Sequence, residues 1–176
     1  VTGANGFVGS HMLDYLLSKK KYKIYGLIKI NAQKRNIKHL LNKVNFIEGD
    51  VTDRVSIDVI INKLKPDYIY HFAALSWVNP SWNMPSAYFN VNALGTINLL
   101  ESVRKYNISS KILVSCTPEE FGDVKYSPQD LDHPSRPRSP YGASKVAARQ
   151  IVKVWRESYN IFAVQGYLFN HESERR

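Results

Sequence analysis

Short apolar runs alternate with segments of helical period along this 176-residue chain. Behind a glycine-rich opening, Val8, Met12, Leu13, Leu16 and Leu17 fall at helical spacing and predict a helix over 7–17. The stretch YKIYGLIKI at 22–30 has the apolar density of a buried strand, 36–42 reads as a short helix, and 44–48 as a strand closed by the turn Gly49-Asp50. From Asp53 to Leu64 the pattern sets Val55, Val59, Ile60 and Leu64 on one helical face, and Pro66-Asp67 separates that helix from a strand over 68–72. A long helix over 85–106, a strand over 112–115, a polar proline-rich loop, a helix over 140–159 and a strand over 161–168 complete the series. No internal repeat or low-complexity tract interrupts it.

Alternation of this kind gives an α/β fold, a doubly wound parallel sheet with helices on both faces and ligand sites at the carboxyl ends of its strands. Length places the chain as one domain over 1–176. A central strand normally has about five or six residues. Only Val1 precedes Thr2, so the first strand reads as cut short and the domain as truncated at both ends.

The opening loop takes its meaning from this setting. VTGANGFVGS puts Gly3, Gly6 and Gly9 at the head of a βαβ unit. There the backbone can approach a pyrophosphate, which unpaired N–H groups and the helix dipole attract. A dinucleotide site is therefore expected around Gly3, Asn5, Gly6, Phe7, Val8 and Gly9. Roughly 20 residues past such glycines, an NAD enzyme carries Asp or Glu on the ribose diol. Here that place holds Lys29, with Lys34 and Arg35 nearby and no carboxylate between Tyr15 and Ile47. This favours a 2′-phosphate, hence NADP over NAD. Asp50 and Val51, ending the third strand, read either as an adenine contact or as a simple turn.

Composition narrows the partners. The net charge of +9 is concentrated early, in Lys19 to Lys23, Lys29, Lys34, Arg35, Lys38 and Lys43, and the first of these clusters reads as a solvated helix end. No basic stripe interleaved with aromatics appears, so no nucleic-acid partner is expected. No run approaches the length of a membrane span, and no signal or transit peptide is visible, so a soluble cytoplasmic protein is expected with no membrane partner. The single Cys116 excludes an internal disulfide and reads as a strand-end residue rather than a nucleophile. His11, His39, His71, His133 and His171 are dispersed, so no metal is expected, and His71 reads as structural.

Tyr141 and Lys145 lie four apart in YGASK and share a helix face. An ammonium beside a phenol favours the phenolate and brings its pKa down from about 10 toward the range of a general base. The spacing is cheap, since Tyr15 with Lys19 and Tyr25 with Lys29 repeat it. What sets Tyr141 apart is its helix, which follows Thr117 and Glu119 at the carboxyl end of a strand.

Taken together, TGANGFVGS, YHFAALS, YGASK and LFNHESERR resemble the extended short-chain dehydrogenase/reductase superfamily. Within it, RSPYGASK and FNHESERR are similar to the GDP-mannose 4,6-dehydratases, and SWNMP at 81–85 fits their microbial members. The resemblance runs from the glycine loop to Arg176. It implies a Rossmann-like NADP-binding domain, with the C-terminal substrate domain largely absent. The activity it implies is a lyase that converts GDP-mannose to GDP-4-keto-6-deoxymannose through transient hydride transfer and loss of water.

The resemblance assigns the catalytic roles to Thr117, Glu119, Tyr141 and Lys145. Tyr141 takes the C4 hydroxyl proton, Lys145 holds the nicotinamide ribose, and Glu119 removes the C5 proton and expels the C6 hydroxyl. It also implies cofactor contacts at Phe72, Ala73, Ala74, Ser76, His171 and Arg176, beside Lys29 and Arg35, and substrate contacts at Ser76, Thr117, Glu119 and Asn170. Asn92 matches a structural asparagine near the catalytic helix. The family commonly assembles as dimers or tetramers, here through the helices over 85–106 and 140–159.

The chain departs from the family pattern at Pro118 and Glu120, where Thr-Pro-Glu-Glu-Phe-Gly replaces Thr-Ser-Glu followed by a small apolar residue and Tyr-Gly. A further departure is Ala87, which stands, next to Tyr88, where a cofactor-contacting tyrosine is frequent. Trp77 and Trp82 read either as a sugar-site lining or as packing aromatics. Alternative readings are a GDP-4-keto-6-deoxymannose reductase or a sugar-nucleotide 4-epimerase, against which the NHES string argues, and a non-catalytic NADP-binding module.

Overall fold

The computed structural model describes residues 1–176. Strands β1 (Tyr25–Ile28), β2 (Asn45–Glu48), β3 (Tyr68–His71), β4 (Lys111–Cys116) and β5 (Ala163–Tyr167) are all parallel to their neighbours. Thr2 joins the β1–β2 pair to the β3–β4–β5 sheet by bridging Leu27 on one side and His71 on the other. Its N–H donates to Tyr70 O at 2.9 Å, and Leu27 N–H donates to Val1 O at 2.8 Å. Counting the Thr2 segment first, the order is that of a doubly wound sheet, with the switch point between Thr2 and β3.

Helices cover both faces. On one, α1 (Phe7–Ser18) and a 3₁₀ helix (Arg35–Leu40) bury Leu13, Leu16, Ile37 and Leu40 against Ala4, Ile24, Ile28 and Val44. On the other, α2 (Arg54–Leu64), α5 (Gly95–Lys105) and α6 (Pro140–Tyr159) surround a core that includes Ile57, Ile61, Ile69, Leu99, Val103, Ile112 and Val152. A short α3 (Val78–Ser81) precedes α4 (Pro85–Tyr88), which runs through a π-helical segment (Phe89–Leu94) into α5. The expected helix over 85–106 is therefore a continuous element with a local widening.

Several expectations need correction. On α2, Val55 and Val59 are solvent-exposed, and Ile57 and Ile61 face the core instead. Both sets repeat at helical spacing, and the packing of α2 on α5 selects between them. The strand expected over 22–30 contracts to Tyr25–Ile28, because its ladder with β2 ends at Ile28↔Glu48. Trp77 and Trp82 are 66% and 62% exposed, so they do not pack on the domain.

Asp58 ties α2 to α5. Burial pushes its carboxyl up, but donors from Lys105, Ser102 and Arg54 outweigh this and bring it to about 2, below the ordinary 3.8. A depressed carboxylate contributes stability at neutral pH that disappears as pH falls through the folded-state value. Asp58→Asn should cost about 1 kcal/mol at pH 7, allowing for solvent screening of Lys105 and Arg54. Urea unfolding checks this: the gap to the wild type narrows as pH approaches 2, and a gap that does not change with pH contradicts it.

Candidate active site

Because every strand is parallel, the segments that follow them emerge along one edge of the sheet. Along this edge lie the glycine loop, Lys29 after β1, Asp50 and Val51 after β2, Phe72 to Ser76 after β3, Thr117 to Glu120 after β4, and Asn170 and His171 after β5. Topology thus brings together residues up to 170 positions apart in the chain.

The glycine loop is built for close approach. Gly3 has φ +62°, and a Cβ there would stand 2.8 Å from Ala73 N, which packs the loop onto the segment after β3. Thr2 Oγ1 reinforces this junction, accepting from Ala73 N at 3.1 Å and meeting His71 Nδ1 at 2.8 Å. His71 Nε2 faces Thr96 Oγ1 at 3.3 Å, so the network fits the neutral Nε2–H tautomer. Burial, followed by the charge of Lys145, pushes this imidazole down to about 3, which agrees with a structural role. Phe7, on the first turn of α1, lies 5.0 Å from the His171 ring between centroids.

Around Lys29 the structure differs from what the sequence alone suggests. A carboxylate is within reach of Lys29 after all: Asp50 Oδ2 pairs with its ammonium at 2.8 Å. The gap in acidic residues between Tyr15 and Ile47 concealed this, because the partner comes from the neighbouring strand rather than from the same segment. Burial raises the Asp50 carboxyl, but Lys29 and Thr52 N–H outweigh it and hold the group below the usual range. Arg35 opens the 3₁₀ helix and is exposed, whereas Asn36 donates to both Asn5 O and Arg175 O. The Asn36 bridge was invisible in the sequence, since it depends on where the last residues return. Arg175 also pairs with Asp14 at 2.6 Å, and Ser173 Oγ meets His11 Nε2 at 2.8 Å, so the final segment folds back over α1. Arg176 engages His171 O and Glu172, and Ser76 and Asn170 are exposed.

At the end of β4, Thr117 caps a one-turn 3₁₀ helix (Pro118–Glu120), its hydroxyl accepting from Glu119 N at 3.3 Å. Pro118 occupies the first position of that turn, where a missing N–H costs nothing. The two adjacent glutamates point to different environments: Glu120 is fully buried, and Glu119 is half-buried. On α6, Ser139 caps the helix through Gly142 N at 3.0 Å, and Tyr141 and Lys145 are both buried. A Cβ at Gly142 would stand 2.6 Å from Glu119 O, so the helix start and the Thr117 turn are in direct contact. Asn92, in the π segment, clamps Leu75 N and O and donates to Ser144 Oγ at 2.9 Å, tying the β3 loop to α6.

The electrostatics overturn one expectation. Burial pushes the Tyr141 phenol above its ordinary value; the neighbouring Thr117 hydroxyl opposes this, while Glu119, Glu120 and Tyr88 add to it. The Lys145 ammonium donates to Ser115 O at 2.5 Å, and its charge does not offset the burial of the phenol. Burial pushes Lys145 itself down, with Cys116 and Glu120 opposing. Cys116 is buried and its thiol is pushed up to about 12, first by burial and then by Glu120, which fits a strand-end residue without nucleophilic function. Next to the expected cofactor position, Tyr88 is buried, donates to Trp77 O at 2.5 Å and sits edge-on to Tyr141.

The same arrangement of loop, turn and helix has counterparts among known proteins. The family model described as GDP-mannose 4,6 dehydratase matches residues 1–176. The chain belongs to this family. It is 37% identical to the GDP-mannose 4,6 dehydratase of Homo sapiens and 37% identical to that of Vibrio cholerae, in each case over all of this chain and 50% of the relative. The chain thus spans about half the length of these relatives. Among solved structures, the UDP-glucose 4-epimerase of Thermus thermophilus in complex with NAD is 31% identical with a TM-score of 0.83, covering 93% of this chain and 52% of that one. The dTDP-glucose 4,6-dehydratase of Streptomyces venezuelae, with NAD bound, is 23% identical with a TM-score of 0.91 over 99% of this chain and 56% of that one, a likeness of fold. No helix is long and apolar enough to cross a membrane, and no three His, Cys, Asp or Glu side chains gather as a metal site.

Proposed function

We propose that this chain is the dinucleotide-binding and catalytic half of a GDP-mannose 4,6-dehydratase that uses NADP. The observation that carries the reading is the apposition, across the end of β4 and the start of α6, of the Thr117–Glu119 turn and the buried Tyr141. The glycine loop fits a dinucleotide, since it offers a cradle in which side chains have no room. Gly3, Asn5, Gly6, Phe7, Val8 and Gly9 would hold its pyrophosphate side, Lys29 and Arg35 a 2′-phosphate, and Asp50 and Val51 the adenine. Phe72, Ala73, Ala74, Ser76, His171 and Arg176 would complete the cradle. When bound, the dinucleotide supplies a hydride acceptor and donor that is regenerated within each turnover.

The chain's own groups carry the protons. Tyr141 Oη takes the proton of the C4 hydroxyl as that carbon becomes a ketone, with the Thr117 hydroxyl beside it to favour the phenolate. Lys145, buried under the same helix face, would hold the nicotinamide ribose. The new carbonyl acidifies C5–H, and Glu119 removes that proton and delivers one to the departing C6 hydroxyl, which leaves as water. Glu119 suits this role because it is half-buried at the mouth of the turn. Ser76 and Asn170, exposed at the same edge, would meet the sugar nucleotide. A homo-oligomer through α4–α5 and α6 belongs to this reading; Phe89 and Leu94 are exposed on that helix.

Incubating the protein that carries this chain with GDP-mannose and catalytic NADP+ should yield a 4-keto-6-deoxy sugar nucleotide without net NADPH. No such product would overturn the assignment. For the cofactor, Lys29→Ala is expected to raise the Kd for NADP+ about tenfold, the equivalent of one charge-assisted contact, and to leave that for NAD+ unchanged. Equal effects on both dinucleotides, read by fluorescence titration, would contradict the phosphate role of Lys29.

A further inference from the structure

The buried pair beneath the Thr117 turn has no part in the chemistry just described. Glu120 has no exposed surface, Oε1 accepts from Thr117 N at 3.2 Å, and its backbone O accepts from Arg136 N at 3.1 Å. Its other carboxylate oxygen, Oε2, lies 2.8 Å from Arg149 Nε. The Nε–H is not aligned with that oxygen, so the contact is an ion pair rather than a directed hydrogen bond. Arg149 is in turn fixed by Ser135 Oγ through Nη2, and its backbone O accepts from Gln165 Nε2 of β5 at 2.9 Å. Arg149 is four residues past Lys145 and eight past Tyr141, on the same face of α6.

We propose that Glu120 and Arg149 act as a positioning pair that locks the Thr117–Glu119 turn onto the Tyr141–Lys145 face of α6 and sets the charge around the phenol. A buried ion pair is a weak source of stability compared with apolar packing of the same volume, so its presence here calls for a role beyond stability. Geometry supplies that role. Glu120 holds the N–H of Thr117 and Arg149 holds Glu120, so the hydroxyl beside Tyr141 and the carboxylate of Glu119 are referred to one helix. Glu120 is also closed off from substrate by these contacts, which leaves Glu119 as the carboxylate free to exchange protons with the sugar. The groups facing Glu120 are Cys116 of β4, Thr117 of the turn, Tyr141, Lys145 and Arg149 of α6, and Tyr167 of β5. Those facing Tyr141 are Thr117, Glu119, Glu120 and Tyr88.

This inference rests on the dehydratase reading for its kinetic arm only. Glu120→Gln keeps an acceptor for Thr117 N but removes the charge, and Glu120→Gln with Arg149→Met removes both charges, so neither buried partner is left unpaired. In the full protein, both variants should lower the kcat reached at high pH, where the phenol is ionised in every variant, at least tenfold with KM for the sugar nucleotide unchanged, and the double variant should be no worse than Glu120→Gln alone. Independently of turnover, the Tyr141 phenol should titrate at lower pH in Glu120→Gln, because the negative charge that opposes its ionisation is gone. Ultraviolet difference absorbance against the matched Tyr141→Phe protein isolates that titration. Should the single variant fail to fold, the neutral double variant serves for both readouts. A phenol titration that stays in place, or a kcat that stays within twofold of wild type, overturns the proposal. Absence of product from the wild type overturns the dehydratase reading instead and leaves the titration arm intact.

Discussion

Replacing Tyr141 with phenylalanine is expected to lower the rate of dehydration by about 10²- to 10⁴-fold, the range that a positioned general acid–base supplies. The fold should survive, because the ring is what packs. Tyr141 is 7% exposed, edge-on to Tyr88, and Ser144 Oγ bonds to its backbone O rather than to the phenol. Only the hydroxyl beside Thr117 is lost. Dinucleotide affinity should change little, since the glycine loop and the residues after β3 are untouched. Measuring kcat, Kd for NADP+ and thermal midpoint on the same preparation separates these effects. A non-catalytic NADP-binding module predicts the opposite, a variant indistinguishable from wild type in its biological role and in any turnover. Because burial holds the phenol above its ordinary range, wild-type kcat should rise with pH on the alkaline side of neutrality, and Tyr141→Phe should flatten that limb.

How much of this was legible in the chain depended on whether a signal was local. The alternation of strands and helices could be read because each element carries its own period, and α6 begins and ends where Pro140 and Tyr159 suggested. The positions of the glycine loop at the head of α1 and of Tyr141 and Lys145 on one face of α6 were readable because each lies within one turn of helix or loop. Three features were not. On α2, two rival apolar stripes satisfied the same period, and only the neighbouring α5 decides between them. The Lys29–Asp50 pair joins the ends of adjacent strands and its partners are 21 residues apart, so no local pattern around Lys29 reveals the carboxylate. The direction in which Lys145 points depends on Ser115 O at the strand end, a backbone atom that no residue pattern advertises. The Glu120–Arg149 pair was half visible. Glu120 stood out as a departure from the family pattern, and continuing the Tyr141–Lys145 spacing by one more turn leads to Arg149.

Gly9→Ala is expected to be among the most damaging single methyl groups in the molecule. A Cβ at Gly9 would stand 2.1 Å from Gly3 O and 2.8 Å from Gly3 C, both backbone atoms. No rotamer can relieve such an overlap; either α1 or the loop must move. The loop is held from the other side by the approach of Gly3 to Ala73 and by the bond from that residue's N–H to Thr2 Oγ1. Ala4 of the loop and Leu13 of α1, both with no exposed surface, anchor loop and helix in the same core. Overpacking of this kind costs about 3 kcal/mol, at the upper end of the usual range because the obstacle is main chain. For a chain of this size that corresponds to a fall of about 10 °C in Tm. Dinucleotide affinity should fall by more than the loss of stability alone implies, since the displaced N–H groups are those that would face the pyrophosphate. Isothermal titration with NADP+ well below the variant's own midpoint tests that separately. A Gly9→Ala protein that melts with the wild type and binds with the same Kd would show that the loop yields without cost, and the cradle would lose its claim to the cofactor.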